Sequence, residues 1–197
     1  MKRVASSTWL SPEGPWYFSA CAWSEGGGWQ PEHWWRYAHG FKAAGDRIVA
    51  SVLDGRRGEL DLLLMPTLYL YRHYIELACK AAIRDMYTLR GKRPQVKAKH
   101  SLEGRWKLAF QLVEELTWEV PAFPEADRFV HELQRHDPVS EAFRYPETKH
   151  GARTAPELRW VNFRRLADGI EHVHEAVTYL EGSIDYLKAH GVEGAGP

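Results

Sequence analysis

Between Thr67 and Ile83 the chain is apolar almost all round, yet three charges recur within it at intervals of four: Arg72, Glu76 and Lys80. A helix that is apolar on every side must be covered by neighbours on several sides, so this segment is the expected centre of the fold. Side chains four apart share one helix face. Charge buried on that face is costly unless paired, and Glu76 lies between two basic residues able to pair with it. Two readings of the stripe stay open. It is a satisfied ionic network that fixes the register of a bundle, or it is a polar pocket that helps form a site. His73, one residue from the stripe, is in reach of the same pocket.

The remaining elements are also helical in pattern. The spacing predicts a first helix from Pro31 to about Leu53, ended by Asp54-Gly55, with Trp34, Ala38, Phe41, Ala44, Ile48 and Val52 on its apolar face. The central helix is expected over about Leu60 to Leu89, with Pro66 either kinking it or marking its true start. A third helix fits His100 or Ser101 to Leu116, on the apolar face of Trp106, Phe110 and Val113, and a short fourth fits Glu125 to Arg135. Asp137 to Thr154 reads as irregular, with Phe143 anchored in the core. A last helix is expected from about Ala155, with Pro156 in its first turn, to Ala189, with Leu158, Val161, Phe163, Leu166, Ile170, Val173, Val177, Leu180, Ile184 and Leu187 along one side. No alternating period-two segment of useful length appears, so strands are not expected. The fold class is all-α, an up-and-down bundle of four or five helices over residues 31–190. Residues 191–197 are the expected disordered tail.

Residues 1–30 form an irregular arm in this reading, with Ser, Gly and Pro mixed among aromatics; six of the chain's nine Trp fall in the first 35 residues. Such an arm packs on the bundle, or it binds a partner protein or a second copy, because exposed aromatic patches mark interfaces. Lys plus Arg equals Asp plus Glu at 26 each in 197 residues, which excludes a strongly basic nucleic-acid coat but not a local basic patch. Arg84 to Lys107 is such a patch, with eight Lys or Arg against Asp85 and Glu103. Two Cys, no apolar run of membrane-spanning length and no apolar stretch behind Met1-Lys2-Arg3 suit a cytoplasmic protein, with no membrane and no signal peptide expected.

Several chemistries can be weighed by spacing. Neither the Cys nor the ten His have zinc spacing; His172 and His174, two apart on a helix, point away from each other, so no metal and no cofactor is expected. Gly26-Gly27-Gly28 lacks the ending of a phosphate loop and reads as a hinge. Arg144 precedes His150 with five residues between them. Arginine can clamp a phosphate through its fork of donors, and histidine can move a proton near neutral pH. Together they suit RNA cleavage without metal, in which the ribose 2′-hydroxyl attacks the adjacent phosphate. Arg165 and His172 repeat a looser version of the spacing and read as a solvated face.

A helical bundle with Arg, a gap of four to six residues, then His resembles the HEPN superfamily. The runs Leu70-Tyr71-Arg72-His73-Tyr74-Ile75-Glu76-Leu77, Lys99-His100-Ser101-Leu102 and Phe143-Arg144-Tyr145-Pro146 resemble a set of bacterial HEPN-like proteins, over about residues 31–190. The resemblance implies a metal-independent endoribonuclease, or an inactive relative, of a toxin–antitoxin or antiphage defence system. It further implies a homodimer with a composite site, and RNA as partner. Arg144 and His150 are then the expected phosphate clamp and acid or base. The family Arg is commonly followed by a polar residue on a helix; here Tyr145 and Pro146 follow. Arg72, His73, Glu76 and His100 are accordingly the supporting or alternative catalytic centre. Two rival expectations are a non-catalytic helical adaptor that docks a partner through its Trp-rich arm, and a nucleotide-sensing module using Arg72, Lys80 and Arg144.

Overall fold

The computed structural model describes residues 32–55, 57–93, 101–116 and 120–191. The aromatic arm, His100 and nearly all of the expected tail lie outside these residues. The described chain forms α1 (Glu32–Leu53), a short 3-10 turn (Arg57–Glu59), α2 (Leu60–Leu89), α3 (Leu102–Glu114), α4 (Pro124–His136) and α5 (Phe163–His190). Among the described residues there is no strand, and Glu147 and Arg153 form an isolated antiparallel bridge. No described helix is long and apolar enough to cross a membrane.

Helix α2 is the centre, as its composition requires. Tyr71, Tyr74, Ile75, Ala78, Cys79, Ala82, Ile83 and Met86 are all buried, and α1, α3 and α5 pack around them. Pro66 neither breaks the helix nor starts it: α2 runs from Leu60 straight through it. What changes near Pro66 is burial, since Leu62 is exposed and the buried run begins at Thr67. Past the end of α2, Gly91 takes a φ of +64°, which lets its N–H reach Thr88 O while Lys92 N–H bonds Tyr87 O. Helix α3 is capped by Ser101, whose hydroxyl accepts the Gly104 N–H at 3.0 Å.

Two expectations about α1 and α5 are corrected. The buried face of α1 is Trp35, Ala38, Lys42, Gly45, Val49 and Val52, so Trp34, Phe41, Ala44 and Ile48 lie half-buried on its flanks. The face is rotated because Lys42 reaches across to Glu171 on α5 and Gly45 admits the Tyr71 ring. Helix α5 starts eight residues late. Ala155 has a φ of +42°, outside the helical region, and Asn162 caps the real start by accepting the N–H groups of Arg164 and Arg165. Leu158 and Val161 therefore cover the core from a loop, while Phe163, Leu166, Ile170, Val173, Val177, Leu180, Ile184 and Leu187 line the helix as expected.

The connectivity is not strictly up-and-down. Trp35 meets Asp85 while Gly45 meets Tyr71, so α1 and α2 are antiparallel. Glu76 meets Arg105 while Arg90 meets Leu112 and Glu115, so α2 and α3 run the same way. Residues 90–101 separate them, and at about 3.3 Å per residue that length is ample for the return. Helix α4 is antiparallel to α3, with Trp106 on Asp127 and the Leu102 N–H on Gln134. Helix α5 runs with α2, with Tyr74 on His174 and Asp85 on Lys188.

Close helix approach makes one stability contrast. A Cβ at Gly45 would lie 2.5 Å from the Tyr71 ring, whose hydroxyl is tied to Asp46, whereas a Cβ at Gly182 meets nothing within 4 Å. Gly45→Ala is expected to destabilise by about 1–3 kcal/mol through overpacking. Gly182→Ala is expected to stabilise by about 0.5–1 kcal/mol, because alanine is the better helix former. Urea unfolding of both variants checks the opposite signs.

Candidate functional site

The centre is Arg72, on α2. Its side chain is 1% exposed and every nitrogen is bonded. Nε and Nη2 donate to the Asp137 carbonyl at 3.3 and 3.1 Å, and Nη1 donates to Glu76 Oε2 at 3.1 Å and Ser140 Oγ at 2.9 Å. Nε also lies 3.1 Å from Asp137 Oδ2. The other Asp137 oxygen, Oδ1, accepts the N–H groups of Glu141 and Ala142 at 2.7 and 2.9 Å. One buried aspartate thus joins the guanidinium to the loop after α4. Of the two readings of the charged stripe, the ionic network engages every nitrogen of Arg72.

Glu76 is shared among three cations: Arg72 on Oε2, and Lys80 at 2.7 Å and Arg105 at 3.4 Å on Oε1. Burial works to raise its pKa, but the Lys80 hydrogen bond and the surrounding positive charge outweigh it and hold the carboxyl below its ordinary value.

The same loop carries Arg144. Phe143 is buried and pins the segment in the core. Arg144 is exposed and lies on a single turn, its N–H bonded to Glu141 O, rather than on a long helix. Its Nε donates to the Ser140 carbonyl at 2.7 Å, Nη2 donates to the same oxygen, and the guanidinium lies 5.4 Å from the Tyr145 ring centre. Both guanidinium groups therefore hold Ser140, Arg72 by its hydroxyl and Arg144 by its carbonyl. Ser140 has a φ of +65°, a conformation that costs a residue other than glycine and that these bonds maintain.

His73 stands half-buried on α2, edge-on to Phe41 at 4.4 Å and stacked on Tyr69 at 5.5 Å. Burial is the largest influence on it and lowers its pKa. Glu76 opposes, and the charges of Lys80, Arg144 and Arg72 lower it further. The imidazole is therefore neutral at pH 7 and able to accept a proton.

The structure thus brings Arg72, His73, Glu76 and Arg144 into one neighbourhood. His150 is elsewhere in the same loop system. It sits at the tip of a tight turn, where Thr148 N–H bonds Ala152 O and Gly151 takes a φ of +76°. It is exposed, and no bond joins its ring to the other four. The expected position of His100 falls outside the described residues. Arg165 and His172 are exposed on α5 and line an open groove of about 760 Å³ with Phe129, Leu158 and Trp160. No protein-family model matches the chain, and neither the curated proteins nor the solved structures give a match. Function has to be read from these side chains and their surroundings.

One cluster gave no sequence signal. Between α1, α2 and α5, Lys42 bonds Asp46 and Glu171 at 2.9 and 2.7 Å, Tyr71 donates to Asp46 at 3.0 Å, and His39 bonds Glu181 at 2.9 Å. The Tyr74 hydroxyl and His174 Nδ1 are 2.9 Å apart, and Asp85 accepts from both Trp35 and Lys188. Burial lowers the His174 pKa, with Lys42 adding to the effect, and raises those of both tyrosines. These pairs satisfy one another, so the seam serves to set the register of the three helices.

Proposed function

We propose that this chain is a metal-independent endoribonuclease of HEPN type, with His73 and Arg144 as its reacting pair. The observation that carries the reading is a neutral, half-buried imidazole close enough to an exposed guanidinium for the guanidinium charge to lower its pKa. In this mechanism His73 accepts the proton of a ribose 2′-hydroxyl. The 2′-oxygen attacks the adjacent phosphorus, the bond to the 5′-oxygen breaks, and a water protonates that oxygen as it leaves. The products are a 2′,3′-cyclic phosphate and a 5′-hydroxyl. Arg144 neutralises charge that builds on the non-bridging oxygens. Arg72, Glu76 and Asp137 are positioning residues that fix the loop. His150 moves from the centre of the reading to its edge. A bacterial defence or toxin role, a cytoplasmic location and a homodimeric composite site belong to the same proposal. The test is cleavage of single-stranded RNA by the full chain in chelator. Loss of cleavage in His73→Ala and Arg144→Ala supports the reading, and intact RNA with the wild-type protein rejects it.

One observation favours the non-catalytic adaptor: Arg72, the most buried charge of the stripe, is 1% exposed and has every nitrogen hydrogen-bonded within the fold. On that reading the network only stabilises the bundle, and a folded protein without nuclease activity is the result.

A further inference from the structure

Three cations, Arg72, Lys80 and Arg105, surround two carboxylates, Glu76 and Asp137. Asp137 is committed to Arg72 and two loop amides, and Glu76 Oε1 already takes Lys80 at 2.7 Å. Arg105 is left over. Its residue is 7% exposed, yet among the described residues Nε and Nη1 have no hydrogen-bond partner; Nη1 stands 3.4 Å from the shared Glu76 oxygen. The Cys79 thiol nearby offers no negative charge, because burial pushes its pKa up to about 12. A buried guanidinium with unmet donors and no carboxylate of its own is costly as it stands.

We propose that Arg105 and Lys80 form a binding site for a phosphate-type oxyanion between α2 and α3. Arg105 is its floor. The Lys80 side chain, 22% exposed, is its mouth, and Glu76 holds the two cations together from behind. Phosphate suits the site because it offers several strong acceptors and full negative charge to a guanidinium and an ammonium. The site uses neither His73 nor Arg144 and shares only Glu76 with the ribonuclease reading. Its ligand is a free phosphate ion or the phosphate of a nucleotide.

Thermal melting of the full chain in sodium phosphate, against sodium chloride at matched ionic strength, tests it. A ligand that binds only the folded state raises the melting temperature in a saturable way. The expected result is a rise of several degrees in phosphate beyond the chloride control. That excess vanishes in Arg105→Met, which replaces the charge with an apolar side chain of similar length, and is weakened in Lys80→Gln, which keeps the buried arginine if the first variant fails to fold. Lys107→Ala, at an exposed residue paired with Glu103 on α3, keeps the full response. Adenosine monophosphate separates the sources: half-saturation at a concentration at least tenfold below that of phosphate assigns the site to a nucleotide, and equal or weaker binding assigns it to the free ion. No excess over chloride in the wild type, or an undiminished excess in Lys80→Gln and in a folded Arg105→Met, overturns the proposal.

Discussion

Asp137→Ala is expected to cost about 3–5 kcal/mol of folding stability, since it leaves the buried Arg72 with only Glu76, a carboxylate shared with two other cations, and removes the acceptor of the Glu141 and Ala142 N–H groups. At about 2–4 °C per kcal/mol for a chain of this size, the melting temperature falls by roughly 6–20 °C. The loss has two parts that variants can separate. Asp137→Asn keeps an oxygen that accepts the Glu141 and Ala142 N–H groups, so it removes the charge and preserves the loop bonds. Arg72→Met removes the cation instead; Glu76 keeps Lys80 and Arg105, and Asp137 keeps its amides, so the expected loss is smaller than for Asp137→Ala. Urea unfolding of the three variants measures the order. An Asp137→Ala protein as stable as the wild type would show that the network contributes little and that the loop is held by Phe143 alone.

RNA cleavage in chelator is expected to fall by about 10²–10⁴-fold in His73→Ala, the range for removal of a general base. Arg144→Ala is expected to lose about 10²–10³-fold, as when one donor to a developing oxyanion is removed. His150→Ala should retain activity within a few-fold, since its ring is unconnected to His73 and Arg144. The pH dependence has a fixed sign. A base acts in its neutral form, so the rate rises with pH as His73 loses its proton and then levels off. Burial puts that midpoint below the ordinary histidine value of about 6.5. Equal cleavage by His73→Ala and wild type removes His73 from the mechanism. A large loss in His150→Ala alone places the base on the turn at 148–151.

The centre of the fold was legible because composition and spacing agree on it. An all-round apolar run with charges four apart admits little besides a covered helix carrying a paired stripe. The partners of that stripe were not legible. Asp137 lies 65 residues from Arg72, and no local pattern announces that its carboxylate will turn inward. The face of α1 was read one residue off for a related reason. Trp34 and Phe41 look like core residues, but Lys42 and Gly45 take the inner positions because Glu171 and the Tyr71 ring receive them across the bundle. Helix α5 was read as too long because Leu158 and Val161 continue its period by chance, whereas Ala155 at positive φ and the Asn162 cap set the real start. Within the candidate site, the Arg144–His150 spacing joins two residues of one loop system whose side chains the fold does not bond to each other. Spacing along a chain cannot show that the Arg144 charge acts on His73, 71 residues away in sequence.

The influence of the Arg144 charge on His73 is best tested by following the His73 ring protons by NMR across pH, in the wild type and in Arg144→Gln. Burial and the nearby cations predict a midpoint below about 6.5 in the wild type, and a higher one once the guanidinium charge is gone. A His73 that titrates as a free histidine, or whose midpoint is unchanged in Arg144→Gln, would contradict the account.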